Sequence, residues 1–138
     1  MKLFMRVYAG LDNSNRVKFG TSSNPVNRLQ KVAGEIGSNI RLLGQSAKMP
    51  KANAFQLEWA VHRALIVYHI AGEWFACSPK TLAMANLLPR KSPAELLSFF
   101  GEMAEAEMTR MAHACDGPYM PTNLDPDHIT SSLLRRAQ

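Results

Sequence analysis

The chain has 138 residues and a mass of 15.3 kDa, enough for one compact domain with a helical appendage. Hydrophobic residues form 46% and charged residues 20% of the sequence, which excludes a disordered or collagen-like chain. No apolar run is long enough to span a membrane, and the N-terminus does not resemble a signal peptide. We therefore expect a cytoplasmic protein with no membrane partner.

The net charge of +5 is concentrated in the first half of the chain. Residues 1–80 carry eleven Lys and Arg against four Asp and Glu, whereas residues 81–138 carry five against seven. A basic half favours phosphate-bearing partners such as nucleic acid, although a solvated basic face is the plainer alternative. Cys77 and Cys115 are too few to staple the fold and are interpreted as small hydrophobic residues.

The first half of the chain alternates strand and helix patterns. Apolar residues predict strands over 2–9 and 16–22, and the turn-forming cluster 10–15 between them predicts a hairpin. Asn24 followed by Pro25 is typical of a helix start, which predicts a helix that runs to Ala33 and stops at Gly34. A third strand is predicted over 40–46.

The second half is mainly helical. Apolar spacing of three and four residues predicts a long helix over 53–69, followed by a short strand over 73–77. A short helix is predicted over 81–88, and a capping box at Ser92 opens a last helix that runs to Ala114. These patterns divide the chain into a domain over 1–80, a helical extension over 81–115 and a tail over 116–138.

Several short motifs follow one another along the first half of the chain. They are Val7-Tyr8, Val17-Lys18-Phe19-Gly20, Ser23-Asn24-Pro25 with Arg28-Leu29, Leu57-Glu58 with His62, and Gly72-Glu73-Trp74-Phe75. Over residues 5–77 they resemble the GIY-YIG nuclease superfamily, and most closely its phage and mobile-element branch. The resemblance implies an α+β fold in which helices flank a small three-stranded antiparallel sheet. This implied fold agrees with the order of strands and helices predicted from the sequence patterns. The predicted C-terminal helices extend the fold beyond the resemblance.

The resemblance also implies hydrolysis of phosphodiester bonds with one divalent metal ion, Mg²⁺ or Mn²⁺. By position, Tyr8 matches the tyrosine of the first family motif, Arg28 the arginine of the following helix, and Glu58 the metal-binding glutamate. The first motif lacks its Gly-Ile, and Lys18 replaces the tyrosine of the name-giving members. These departures leave open which group takes the proton of the attacking water.

Residues of the long helix allow two interpretations each. Glu58 is interpreted as a magnesium ligand, since magnesium keeps several waters and needs few protein ligands, or as a helix carboxylate paired with a neighbour. His62 lies one turn beyond Glu58 and is interpreted as a general base or a phosphate-holding group, or as a structural histidine. His69 falls on the same predicted face, and we interpret it as structural.

The remaining candidate residues are cationic or lie beside the motifs. Tyr8 is either catalytic or packed in the core, Lys18 contacts phosphate or protects a sheet edge, and Arg28 holds phosphate or is solvated. Gly20 keeps the active face open because it has no side chain. Three further residues are predicted to assist: Lys31 and Arg41 as nucleic-acid contacts, and Glu73 as a supporting carboxylate.

The function predicted from the sequence is a metal-dependent endonuclease that cleaves DNA, with RNA as an alternative substrate. Two other interpretations stay open, namely a catalytically inactive relative that binds nucleic acid and a protein-interaction module. Met103, Met108 and Met111 lie on one side of the last helix, which indicates either a homodimer contact or core packing.

Overall fold

The fold is an α+β arrangement, as predicted, in a computed structural model that describes residues 3–115. The strands are β1 (Phe4–Asp12), β2 (Arg16–Ser22), β3 (Ile40–Gln45), β4 (Met49–Pro50), β5 (His69–Ala71) and β6 (Trp74–Ala76). The helices are α1 (Pro25–Ile36), α2 (Lys51–Ala64), α3 (Pro79–Leu87) and α4 (Pro93–Cys115), with a 3₁₀ turn at Ile66–Tyr68. The predicted tail, 116–138, lies outside the described residues.

The sheet is antiparallel, with strands in the order β3-β1-β2-β6-β5, and β4 pairs with the start of β1. The three long strands form the predicted three-stranded core of the sheet, and the short strands widen it to six. The added β5–β6 hairpin turns at Gly72, whose φ of +53° suits a residue without a side chain.

Several predicted boundaries differ from the structure. Strand β1 continues to Asp12 because Gly10 and Leu11 pair with β2 instead of forming the turn. Helix α1 passes Gly34 and ends at Gly37, which takes a left-handed conformation with φ of +67°. The predicted helix over 53–69 is wrong at both ends: α2 spans Lys51–Ala64, and the remaining residues form the 3₁₀ turn and β5.

Helix starts follow the capping chemistry in the sequence. The Asn24 side chain accepts from the backbone N–H of Asn27 at 3.2 Å, and Pro25 occupies the first helical position. At α4 the backbone N–H of Glu95 donates to the Ser92 hydroxyl while that of Ser92 donates to the Glu95 carboxylate. Helix α3 starts two residues before the predicted position because Ser78 caps it.

The two faces of the sheet are covered by different helices. Alternate residues of β1 and β2 point to opposite faces, and one set enters the main core with α2, α3 and α4: Val7, Ala9, Val17 and Phe19. On the other face, Leu29 of α1 lies so close to Gly10 that an added Cβ would be 3.0 Å from its side chain. This second face carries Tyr8 and Lys18.

The residues after position 80 join the same core as the sheet. Leu88, Leu96 and Phe100 are fully buried in the cluster that contains Phe19 and Phe75. Met103 packs against this core, and Met108 and Met111 are half-buried, so a homodimer contact through α4 stays a prediction. Within residues 3–115, no helix combines the length and apolar character needed to cross a membrane.

Candidate functional site

Tyr8 and Lys18 meet on the α1 face of the sheet through strand register. Tyr8 pairs with Gly20 and Lys18 with Gly10, so all four residues belong to the same face of the β1–β2 ladder. The Lys18 Nζ donates to the Tyr8 hydroxyl at 3.0 Å and also forms an ion pair with Glu73. The β1–β2 pairing therefore brings together two motif residues, and the β5–β6 hairpin adds Glu73 as the third.

Lys18 is buried, with a relative exposure of 4%. The alternative interpretation of this lysine as a protector of a sheet edge is wrong, because β2 is an interior strand between β1 and β6. Burial by itself lowers the pKa of Lys18, but hydrogen bonds with Glu73 and Tyr8 outweigh burial and raise it. Lys18 is therefore a permanent buried cation that its two partners hold in place.

Gly20 leaves the space that this cluster occupies. A Cβ at position 20 would lie 2.7 Å from the Tyr8 hydroxyl oxygen and 3.1 Å from a Glu73 carboxylate oxygen. The first distance is shorter than real Cβ contacts allow, so any side chain here displaces the phenol or the carboxylate. The structure thus gives a steric reason for the glycine of the second motif.

Glu58 reaches the cluster from α2 and faces Glu73. Burial, followed by hydrogen bonding and charge repulsion from Glu73, raises the pKa of Glu58 to about 8. Thr21 also hydrogen-bonds to Glu58 and opposes this shift. For Glu73, burial raises the pKa, but hydrogen bonds from Glu58 and Lys18 outweigh it and lower the pKa. At neutral pH the pair therefore shares one proton, which Glu58 carries.

His62 supports the cluster from the next turn of α2. Its Nε2 lies 2.9 Å from the Phe19 carbonyl oxygen and 3.8 Å from Glu58 Oε1. A carbonyl oxygen only accepts, so Nε2 carries a proton and donates to it. Burial lowers the pKa of His62, which keeps the ring neutral. Because the nitrogen that faces Glu58 is engaged as a donor, this geometry favours a positioning role over the base predicted for His62.

His69 does not share a helix face with Glu58, contrary to the sequence expectation, because α2 ends at Ala64 and His69 begins β5. Its Nε2 lies 2.9 Å from the Gly72 carbonyl oxygen, and its ring meets the edge of Phe75 at a centroid distance of 5.3 Å. Phe75 is fully buried in the core. These contacts agree with the structural interpretation of His69.

Three of the four cations predicted to bind phosphate lie outside the cluster. Arg28 and Lys31 are exposed on α1, and Arg41 is exposed on β3. Within residues 3–115, these three side chains form no ion pair that would occupy them.

Two features of this region have little or no signal in the sequence. Thr21, which hydrogen-bonds to Glu58, looks like an ordinary strand residue. Trp74 is only half-buried, and the Arg16 guanidinium lies 4.5 Å from its ring centroid. Strand alternation gives a partial signal, since Trp74 is the β6 partner of Lys18 and so joins the same face.

The residues of the cluster fit a hard divalent cation. Glu58 and Glu73 offer carboxylate oxygens, the ligand type that Mg²⁺ and Mn²⁺ prefer. The repulsion between these two carboxylates is of the kind that a cation relieves. No cluster of three or more His, Cys, Asp and Glu side chains within residues 3–115 is arranged around a metal position. A metal here would therefore have one or two protein ligands and complete its shell with water and substrate oxygens.

Comparison with known proteins adds no relative: no family model, no curated protein and no solved structure matches the chain significantly.

Proposed function

We propose that the protein is an endonuclease that hydrolyses phosphodiester bonds in DNA with the help of one Mg²⁺ or Mn²⁺ ion. The observation that supports this proposal best is the meeting of a buried ammonium, a phenol and two carboxylates beside Gly20. An ammonium favours the anionic phosphate, and a carboxylate pair favours the cation. Perturbed pKa values in the same cluster are typical of functional sites.

Solvent reaches the cluster on the side of Glu73. The Glu73 side chain is 40% exposed, whereas that of Lys18 is 6% exposed and Tyr8 is fully buried. A phosphate that takes the place of the Glu73 carboxylate would meet the Lys18 ammonium, which Tyr8 holds in position. Lys18 would then stabilise the negative charge that grows on the phosphoryl oxygens.

Hydrolysis requires a water to lose a proton and form a new bond to phosphorus, the P–O bond to the leaving group to break, and the leaving oxygen to gain a proton. When bound, the metal ion supplies Lewis-acid stabilisation of the phosphoryl oxygens. Glu58 would hold it after releasing its proton to solvent, with Glu73 as the second carboxylate. The Tyr8 oxygen accepts from Lys18, which leaves its own proton and one lone pair for a phosphate oxygen or a water that takes the place of the Glu73 carboxylate. Arg28 would hold the phosphate from α1, and Lys31 and Arg41 would contact the neighbouring backbone.

The test is an incubation of purified protein with supercoiled plasmid, a linear duplex, a single strand and an RNA, each with Mg²⁺, Mn²⁺ or EDTA. We expect metal-dependent nicking or cleavage of DNA by the wild-type protein. Binding without cleavage in any metal would favour an inactive nucleic-acid-binding relative. Neither binding nor cleavage would favour a protein-interaction module.

A further inference from the structure

Trp74 and Arg16 form a stacked pair beside the candidate site. Both lie on the α1 face of the sheet, since Trp74 is the strand partner of Lys18 and Arg16 precedes Lys18 by two positions on β2. The guanidinium carbon lies 4.5 Å from the Trp74 ring centroid. Two positions along a strand span about 6.7 Å, and Trp74 directly follows Glu73 in the chain, so the pair adjoins the candidate site.

Asp12 fixes the orientation of this arginine. Its carboxylate accepts from Arg16 Nε at 2.8 Å and pairs with Nη2 at 2.7 Å, while its other oxygen accepts from two backbone N–H groups, those of Ser14 and Arg16. The Asp12 side chain is fully buried, whereas that of Arg16 is 34% exposed. The guanidinium plane is therefore held from the inside and meets solvent on the outside.

The charge of Arg16 is largely neutralised by Asp12, which makes it a poor electrostatic contact for phosphate. A planar guanidinium and an indole ring are instead surfaces of the kind on which unpaired nucleobases stack, and here the Trp74 ring is half-buried with Arg16 against it.

We propose that Arg16 and Trp74 form a stacking subsite for an unpaired nucleobase, so that the substrate is single-stranded or locally unpaired nucleic acid. The inference rests on the proposed function, because it places the base next to the phosphate at Lys18. It goes further, since an intact duplex keeps its bases stacked inside the helix and offers none to this surface. The structure thus assigns a substrate class to the site.

Trp59 provides a matched control for Trp74. The chain has two tryptophans, and each has an arginine against its ring, since Arg63 lies 4.8 Å from the Trp59 ring centroid. Trp59 lies on α2 and is likewise half-buried. Trp59→Phe leaves Trp74 as the single indole fluorophore, and Trp74→Phe leaves Trp59.

The experiment titrates oligothymidylate, oligouridylate and a blunt duplex into both variants in EDTA. We expect single strands to quench the fluorescence of Trp59→Phe and to leave that of Trp74→Phe unchanged. A further variant, Trp74→Leu, should lose roughly 5- to 150-fold in affinity for single strands and less than about threefold for duplex, as expected for one stacked base. The comparison of oligothymidylate with oligouridylate shows whether the subsite prefers DNA or RNA.

Thermal melting confirms that each variant is folded. Unchanged single-strand affinity in folded Trp74→Leu, or equal quenching of both indoles, would overturn the subsite. Because these titrations contain no metal, they remain separate from the cleavage assay. Cleavage of duplex that does not depend on Trp74 would support the nuclease function and contradict the stacking subsite. Trp74-dependent binding of single strands without cleavage would support the subsite and contradict the nuclease function.

Discussion

Two clusters on the same sheet combine cations and carboxylates in different ratios. At the β1–β2 turn, Asp12 and Arg16 match one carboxylate with one guanidinium. Burial raises the pKa of Asp12, but hydrogen bonds from Arg16 outweigh burial and lower it. In the candidate site, Lys18 faces two carboxylates, and the pKa of Glu58 rises to about 8. The matched pair stabilises a turn, whereas the unmatched trio has an excess of carboxylate that suits a divalent cation.

The largest effect is expected for Glu58→Gln, which keeps the shape of the side chain and removes its charge. If Glu58 holds the metal, turnover should fall about 10²- to 10³-fold, as for loss of one charge-stabilising group, while metal-free binding stays within a few-fold. Single-turnover cleavage and a metal-free gel shift measure the two effects. Glu105→Gln makes the same change on the exposed surface of α4 and should alter neither turnover nor metal-free binding. Cleavage by Glu58→Gln within a few-fold of wild type would contradict the metal assignment.

Gly20→Val tests whether the space beside Tyr8 is functional. The new side chain would collide with the Tyr8 hydroxyl and Glu73, and a shift of about 1 Å in such groups costs on the order of 10²-fold in rate. We expect activity to fall more than thermal stability. Gly101→Ala is the matched control, because a Cβ there meets nothing within 4 Å, and alanine should stabilise α4 by about 0.5–1 kcal/mol. If Gly20→Val melts much earlier yet its folded fraction cleaves normally, Gly20 is structural only.

Arg28→Ala tests the exposed cations, which differ from Lys18 in having no carboxylate partner within the described part of the chain. Binding and turnover should both fall about tenfold, the size of one charged hydrogen bond. Lys31→Ala and Arg41→Ala should each flatten the log–log dependence of affinity on salt by about one unit. Arg90→Ala, an exposed arginine in the acidic half, should change none of these. Affinity that ignores salt in the wild type would contradict phosphate contact.

The smallest expected effect is on the pH dependence of the folding stability. The pKa of Glu58 is about 8 in the folded protein, above its usual value of 4.5, so the folded state holds more protons between these values. Stability from this group is therefore present below about pH 4.5 and is lost as pH rises toward 8. Glu58→Gln, which cannot ionise, should melt a few degrees above wild type at pH 8 and lose this advantage at pH 5. Equal melting differences at both values would contradict the shared proton.

Much of the fold follows from local patterns in the sequence. Period-two alternation located β2, and capping residues located the starts of α1 and α4. The end of α2 was not predictable, because residues 65–69 continue the apolar spacing of the helix. Tertiary packing decides instead, as β5 pairs with β6 and draws the chain back to the sheet.

The site was predictable only in part, for a related reason. The motifs identified Tyr8, Lys18, Glu58 and Glu73, and the structure brings these four side chains together. Which of them touch depends on the path of β6, since Glu73 reaches Lys18 only because β6 pairs with β2. Sequence spacing carries no such long-range information, so Thr21 and the contact between Arg16 and Trp74 had to come from the structure.

The central claim is that Glu58 and Glu73 form a divalent-cation site that works on a phosphodiester. The most direct test is a Mn²⁺ titration followed by electron paramagnetic resonance in the presence of a nuclease-resistant phosphorothioate oligonucleotide, which supplies the oxygens that complete the metal shell. Wild type and Glu105→Gln should each bind about one Mn²⁺ per complex. Glu58→Gln should lose that ion while the oligonucleotide stays bound. A wild-type complex that holds no Mn²⁺, or a Glu58→Gln complex that holds it equally well, would contradict the claim.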